Sequence, residues 1–168
     1  TTNKGGGACW DFSELKKLQK ISKENNLAFH LDGARLFNAL IKTGMSAKKF
    51  CENFDTVSIC LSKGLGCPVG SLILGPRELI TKKGLRIRKV FGGGMRQAGF
   101  LAAAGIYALD HHISRLAQDH EHASLFAEAA QKNPLFALAY PVETNMVWLK
   151  VEQNAHVVRD ILFRQGVK

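Results

Sequence analysis

Apolar residues recur at helical spacing through Phe12, Leu15, Leu18 and Ile21, with Lys16, Lys17, Lys20 and Lys23 mostly on other faces. Asp11-Phe12-Ser13-Glu14 sets a capping side chain ahead of this run. An amphipathic helix is predicted, ending near Asn25-Asn26. Leu27 to Asp32 is short, mostly apolar and stopped by Gly33, which fits a buried strand. Arg35 to about Lys42 reads as a short helix closed by Gly44. Asp55 to Leu61 is β-branched and bounded by Asn53 and Gly64, a second buried strand, and Val69 to Leu74 is a third. Only the turn-like Lys63-Gly64-Leu65-Gly66-Cys67-Pro68 separates these two. They are therefore expected to run antiparallel, since a parallel crossover needs about a dozen residues or more. Pro76 suits the first turn of a following helix. Met95 to about Lys132 is long, Ala-rich and helical in pattern, broken by Pro134. Met146 to Val151 reads as a strand and Ala155 to Arg164 as a helix.

Strands alternating with helices predict an α/β domain, a mostly parallel sheet with flanking helices. The 168 residues are 46% hydrophobic and 22% charged, which supports one sizeable core and excludes a disordered chain. A domain of this kind does not normally stop one short helix after a strand, nor begin in a Gly-rich loop. An incomplete domain from a longer protein is therefore expected. The longest apolar run, Phe100 to Leu109, is about half of a membrane span, and residues 1–7 contain no apolar signal core. Four cysteines at 9, 51, 60 and 67 form no metal-ribbon or disulfide-scaffold spacing, so reduced thiols in the cytoplasm are expected. The net charge of +9 favours acidic partners. Its concentration in Lys82, Lys83, Arg86, Arg88 and Lys89 reads most simply as a solvated helix face. A nucleic-acid-binding module built on that run would need interleaved exposed aromatics, which it lacks.

The sharpest chemical feature is a pair of strand ends. Asp32 closes one predicted buried strand and Lys63 closes another, 31 residues later. Ligands of open α/β sheets bind beyond the carboxyl ends of the strands. An amine and a carboxylate delivered to that edge suit pyridoxal 5'-phosphate (PLP): the lysine forms a Schiff base, and the aspartate keeps the pyridine nitrogen protonated. Glycines after the lysine let a flat ring approach the backbone. Spacing alone leaves another reading open, in which Asp32 caps the turn before Arg35 and Lys63 is solvated. His30 shares a strand face with Asp32 and reads as a hydrogen-bonded core histidine. His111, His112, His120 and His122 have no metal-ligand spacing and read as surface residues. Cys60 and Cys67 flank Lys63 and read as small buried hydrophobes. Gly64-Leu65-Gly66 fails the dinucleotide fingerprint, lacking a glycine three residues on.

Several segments resemble the threonine aldolase family, within the β-eliminating lyase group. They are Leu31-Asp32-Gly33-Ala34-Arg35, Ser62-Lys63-Gly64-Leu65-Gly66-Cys67-Pro68-Val69-Gly70-Ser71, Gly92-Gly93-Gly94-Met95-Arg96-Gln97-Ala98-Gly99 and Thr144-Asn145-Met146. They occur in the family's order and cover most of the chain. The resemblance implies the large domain of fold-type-I PLP enzymes, incomplete here. It places residues 1–135 in that domain and 136–168 at the start of the smaller C-terminal domain. It implies PLP as cofactor and reversible cleavage of L-threonine or allo-threonine to glycine and acetaldehyde. A related β-eliminating lyase is the alternative.

By the same resemblance Lys63 is the Schiff-base lysine and Asp32 the pyridinium partner. Arg35 lies near the cofactor hydroxyl and the substrate carboxylate, Ser62 beside the cofactor, and Lys89 and Arg96 near its phosphate. Thr2 takes a substrate-side position where many members read T-H-N; here the segment is Thr1-Thr2-Asn3, which leaves open the group that handles the β-hydroxyl proton. The implied partners are a small β-hydroxy-α-amino acid and further copies of the chain, as a homodimer or homotetramer. Neither nucleic acid nor membrane is expected.

Overall fold

A computed structural model describes residues 2–152 and 154–167. Thr1 of the T-T-N segment, and Gln153 and Lys168 of the expected 136–168 domain, lie outside the described residues.

The first helix, α1 (Phe12–Glu24), starts where its cap predicts: Asp11 accepts hydrogen bonds from the Ser13 and Glu14 amides and from the Ser13 hydroxyl. These contacts hold the Asp11 carboxyl below the usual carboxylate range, the Ser13 side chain contributing most. Strand β1 (His30–Asp32) is shorter than the apolar run suggests. Asn26 takes a left-handed conformation at φ 53° and the Leu27 amide turns back to the Ser22 carbonyl, so pairing begins only at Phe29. There the Asp55 amide donates to the Phe29 carbonyl at 2.8 Å, and the Phe29 amide donates to the Asp55 carboxylate at 2.7 Å. Helix α2 (Leu36–Thr43) ends at Gly44 in the left-handed region, and a short α3 (Ala47–Cys51), not anticipated from the pattern, follows.

Strand β2 (Thr56–Cys60) pairs parallel with β1, Asp32 lying opposite Ser58. Strand β3 (Ser71–Leu74) pairs antiparallel with β2, as the short connection predicts, with Cys60 opposite Ser71. The order is β1-β2-β3, so the parallel part of the described sheet is one pairing. Val57 and Ile59 are buried with Leu15, Leu36, Leu40 and Phe50, which places α1, α2 and α3 on one face. β-strand alternation sends His30, Asp32, Thr56, Ser58, Cys60 and Ser71 to the other. That second face is half-buried or exposed, and every residue of β3 is exposed, in contrast to the buried third strand expected. Leu72 and Leu74, the register partners of Ile59 and Val57, are exposed as well as Ile73, so β3 is uncovered on both faces among the described residues.

A helical segment follows Pro76, with a π-helical stretch at Leu79–Gly84 leading into α4 (Leu85–Val90). The basic run lies here, fully exposed, with Lys82 paired to Glu78 at 2.6 Å. The expected single long helix is two, α5 (Gly99–His111) and α6 (Leu116–Gln131). The chain breaks where His112 leaves the helix and engages the Leu65 carbonyl through Nδ1 at 2.7 Å, while Leu116 inserts into a second core with Leu61, Leu65, Cys67 and Ala108. A separate antiparallel pair, β4 (Phe136–Leu138) with β5 (Leu149–Val151), precedes α7 (Ala155–Arg164). The sequence pattern missed β4. No helix among the described residues is long and apolar enough to cross a membrane.

Candidate active site

Asp32 is the last residue of β1, exposed, its carboxylate accepting only from the Ala34 amide at 3.2 Å among the described residues. Gly33 follows because nothing larger fits. Its amide donates to the Ser58 carbonyl at 2.8 Å, and a Cβ there would stand 2.5 Å from that oxygen. The glycine thus fixes Asp32 at the carboxyl end of the sheet, against β2.

Lys63 emerges three residues beyond β2. Leu61 and Leu65 on either side of it are buried in the second core. The Gly66 amide closes the turn onto the Lys63 carbonyl at 2.8 Å. Gly64 is pressed against α6, where a Cβ would meet Leu116 Cδ2 at 2.7 Å. With its backbone held so, the Lys63 side chain folds back and its Nζ donates to Cys60 Sγ at 3.0 Å. Cys60 shares its strand face with Ser58, the register partner of Asp32. The amine of Lys63 and the carboxylate of Asp32 therefore stand on the same face of the sheet, at its carboxyl edge.

Arg35 sits at the start of α2 and lines a small cleft with Asn38, Cys60 and Gly64. It makes no ion pair among the described residues, so its guanidinium is available to an anion. Ser62 is exposed beside Lys63. Thr2 belongs to a turn in which the Gly7 amide donates to its carbonyl at 2.9 Å. It borders a cleft with Cys9 and Trp10, and those two residues also border the cleft that holds Asp32. Trp10, half exposed between the two clefts, was not singled out by its sequence context. No described cleft contains both Asp32 and Lys63; the sheet face is what joins them. Lys89 and Arg96 are not brought to this edge. Lys89 packs under Gly94 in the exposed segment, and Arg96 is exposed in the loop beyond.

Three expectations need correction. His30 is not a core residue: it is exposed, with Nδ1 2.8 Å from Thr56 Oγ1, because its strand face is uncovered. His112 and His120 are not free surface groups. His112 holds Leu65, and His120 Nε2 lies 3.2 Å from Asn38 Nδ2, tying α6 to α2. Cys67 is buried, but Cys60 is only half-buried and faces the amine of Lys63 rather than the core. The described residues hold no cluster of His, Cys, Asp or Glu suited to a metal ion.

A family model described as "Beta-eliminating lyase" matches residues 1–154. The chain belongs to the beta-eliminating lyase family. It is 46% identical over 154 residues to a low specificity L-threonine aldolase of Escherichia coli K12, covering 91% of this chain and 45% of that protein. It is 43% identical over 161 residues to a probable low-specificity L-threonine aldolase of Schizosaccharomyces pombe, covering 96% and 42%. A solved Listeria monocytogenes EGD-E structure, described as a candidate L-allo-threonine aldolase, superposes with TM-score 0.86 at 25% identity, covering 99% and 46%. The chain thus spans just under half the length of these relatives. The architecture is that of the fold-type-I large domain of PLP-dependent enzymes, present in part.

Proposed function

We propose that the whole protein cleaves the Cα–Cβ bond of β-hydroxy-α-amino acids, L-threonine or allo-threonine, to glycine and acetaldehyde, with PLP as cofactor. The observation that carries this reading is the delivery of the Lys63 amine and the Asp32 carboxylate to one face of the sheet by neighbouring strands. The identity to threonine aldolases over most of the chain supports the choice of reaction.

The residues fit the cofactor. Asp32 and Lys63 are both exposed at the carboxyl edge of the sheet, Asp32 has few competing donors, and Ser58 and Cys60 on the face between them are only half-buried. When bound, PLP supplies an electron sink for the carbanion left as the Cα–Cβ bond breaks. Lys63 offers the amine that holds it covalently. Asp32 holds a proton at the ring nitrogen by accepting its hydrogen bond, which an anionic carboxylate does better than a neutral group. Arg35, unpaired among the described residues, would hold the substrate carboxylate bidentately and so orient the amino acid when the cofactor is bound. Ser62, exposed beside Lys63, would contact the cofactor. Lys89 and Arg96, exposed and not brought to this edge, serve the cofactor phosphate of a partner copy's site in a homodimer or homotetramer. Thr2 borders the substrate side. Residues 1–135 form the cofactor domain and 136–168 begin the smaller one, a division supported by the separate β4–β5 sheet. Free thiols at Cys9, Cys51, Cys60 and Cys67 suit a cytoplasmic enzyme.

The family description favours one rival, elimination of a β-substituent, which uses the same Lys63 and Asp32. Product analysis of the full-length protein with PLP and L-threonine decides between them. Glycine and acetaldehyde in equal amounts support the aldolase reading; a 2-oxo acid and ammonia overturn it.

A further inference from the structure

Lys63 carries a flexible four-carbon stem, and freezing such a side chain costs up to about 2 kcal/mol of rotamer entropy. An exposed lysine with no acceptor sweeps a wide arc. Among the described residues Lys63 has no carboxylate partner, and its Nζ donates instead to Cys60 Sγ at 3.0 Å. The thiol is not loosely placed. Cys60 closes β2, its backbone is in register with Ser71 of β3, and the Ser71 hydroxyl lies 3.9 Å from the same sulfur. One residue on, the Leu61 amide is bonded to the Gly70 carbonyl at 2.9 Å and its side chain is buried. The sulfur is therefore a fixed point on the face that carries Asp32. A thiol is a weak acceptor and adds no negative charge beside the amine. It can orient Lys63 yet release it to a stronger partner, which an aspartate at the same point would not.

We propose that Cys60 is a positioning residue for Lys63: its sulfur holds the amine over the Asp32 face whenever that amine is not joined to the cofactor. The proposal rests on Lys63 being the cofactor-bearing lysine. Its consequence is kinetic. Covalent capture of PLP by the apo protein, and the return of Lys63 at the end of each turnover, both begin from an amine already aimed.

The test uses full-length apo protein mixed with PLP in a stopped-flow spectrometer, following growth of the visible band of lysine-linked cofactor. Cys60→Ala is expected to slow this capture about tenfold, the size of a lost side-chain hydrogen bond with its orienting effect. It should lower kcat with the KM for L-threonine unchanged. Cys60→Val, which fills the space without an acceptor, is expected to behave like Cys60→Ala and so separates positioning from packing. Cys60→Ser, which keeps an acceptor, is expected to recover capture to within about threefold of the native rate. Native capture rates in both Cys60→Ala and Cys60→Val would overturn the proposal, as would a Cys60→Ser variant as slow as Cys60→Ala. The band's survival in Lys63→Ala would instead sink the assignment of Lys63 itself, a result the cysteine variants cannot mimic.

Discussion

Replacing Gly33 by alanine perturbs the join between β1 and β2 at the point where Asp32 is fixed. The new Cβ would lie 2.5 Å from the Ser58 carbonyl oxygen and 3.3 Å from Leu36 Cβ. Carbon and carbonyl oxygen ordinarily touch at about 3.3 Å, so the strand end must retreat by roughly 0.8 Å. Neither neighbour yields easily, because one is backbone in the β2 ladder and the other belongs to a residue only 3% exposed. Overpacking of this kind costs about 1–3 kcal/mol, and stretching the Gly33 to Ser58 hydrogen bond adds about 1 kcal/mol. The expected loss is about 2–4 kcal/mol of stability, measured by urea denaturation of the full-length apo protein. A displacement of this size at Asp32 should also lower kcat/KM for L-threonine by about 100-fold, measured by aldehyde release. Gly44→Ala is the control. It has open space around it but a φ of +66°, so it should lose stability through backbone strain while turnover is retained. A Gly33→Ala protein with native stability and native turnover would refute the claim that this glycine places Asp32.

Asp32→Ala should leave the fold intact by circular dichroism, since the carboxylate makes one local bond, yet cut turnover by about 100-fold or more; near-native rates would remove Asp32 from the chemistry. Leu116→Ala empties a side chain only 1% exposed in the core beneath Lys63 and should cost about 3 kcal/mol in urea denaturation; a loss under about 1 kcal/mol would mean that core is not closed. Burial holds the His120 imidazole below its ordinary range, Asp119 opposing and Lys42 adding to the effect. As pH falls below about 6.5 the unfolded chain takes the proton first, so stability is full above that value and declines through the window beneath it. His120→Gln, whose amide oxygen can still accept from Asn38, should flatten that acid decline; equal slopes for both proteins would refute the link.

What the sequence displayed was local. Helix α1 was legible because its cap and its 3.6-residue spacing agree within a few positions, and the β2–β3 hairpin because the ten residues between Cys60 and Ser71 are too few for a parallel crossover. The Asp32 and Lys63 pair was legible as two strand ends, although only the register of β1 on β2 puts them on one face. Contacts between distant segments were not legible. The break between α5 and α6 follows from His112 reaching Leu65, 47 residues away, and the role of His120 from Asn38, 82 residues away. Apolar content also announces a face to be covered without saying what covers it. Hence β3 and the segment bearing Lys89 and Arg96, apolar or basic in pattern, stand exposed among the described residues. Cys60 looked like a small hydrophobe because composition does not reveal that a lysine three residues later folds back onto it.

The central claim is that one amine carries the cofactor. Reducing the full-length protein with borohydride in the presence of PLP, then mapping the labelled peptide by mass spectrometry, tests it directly. The account predicts the pyridoxyl mass on Lys63 and none in Lys63→Ala; a label on any other lysine, or an undiminished label in that variant, would contradict it.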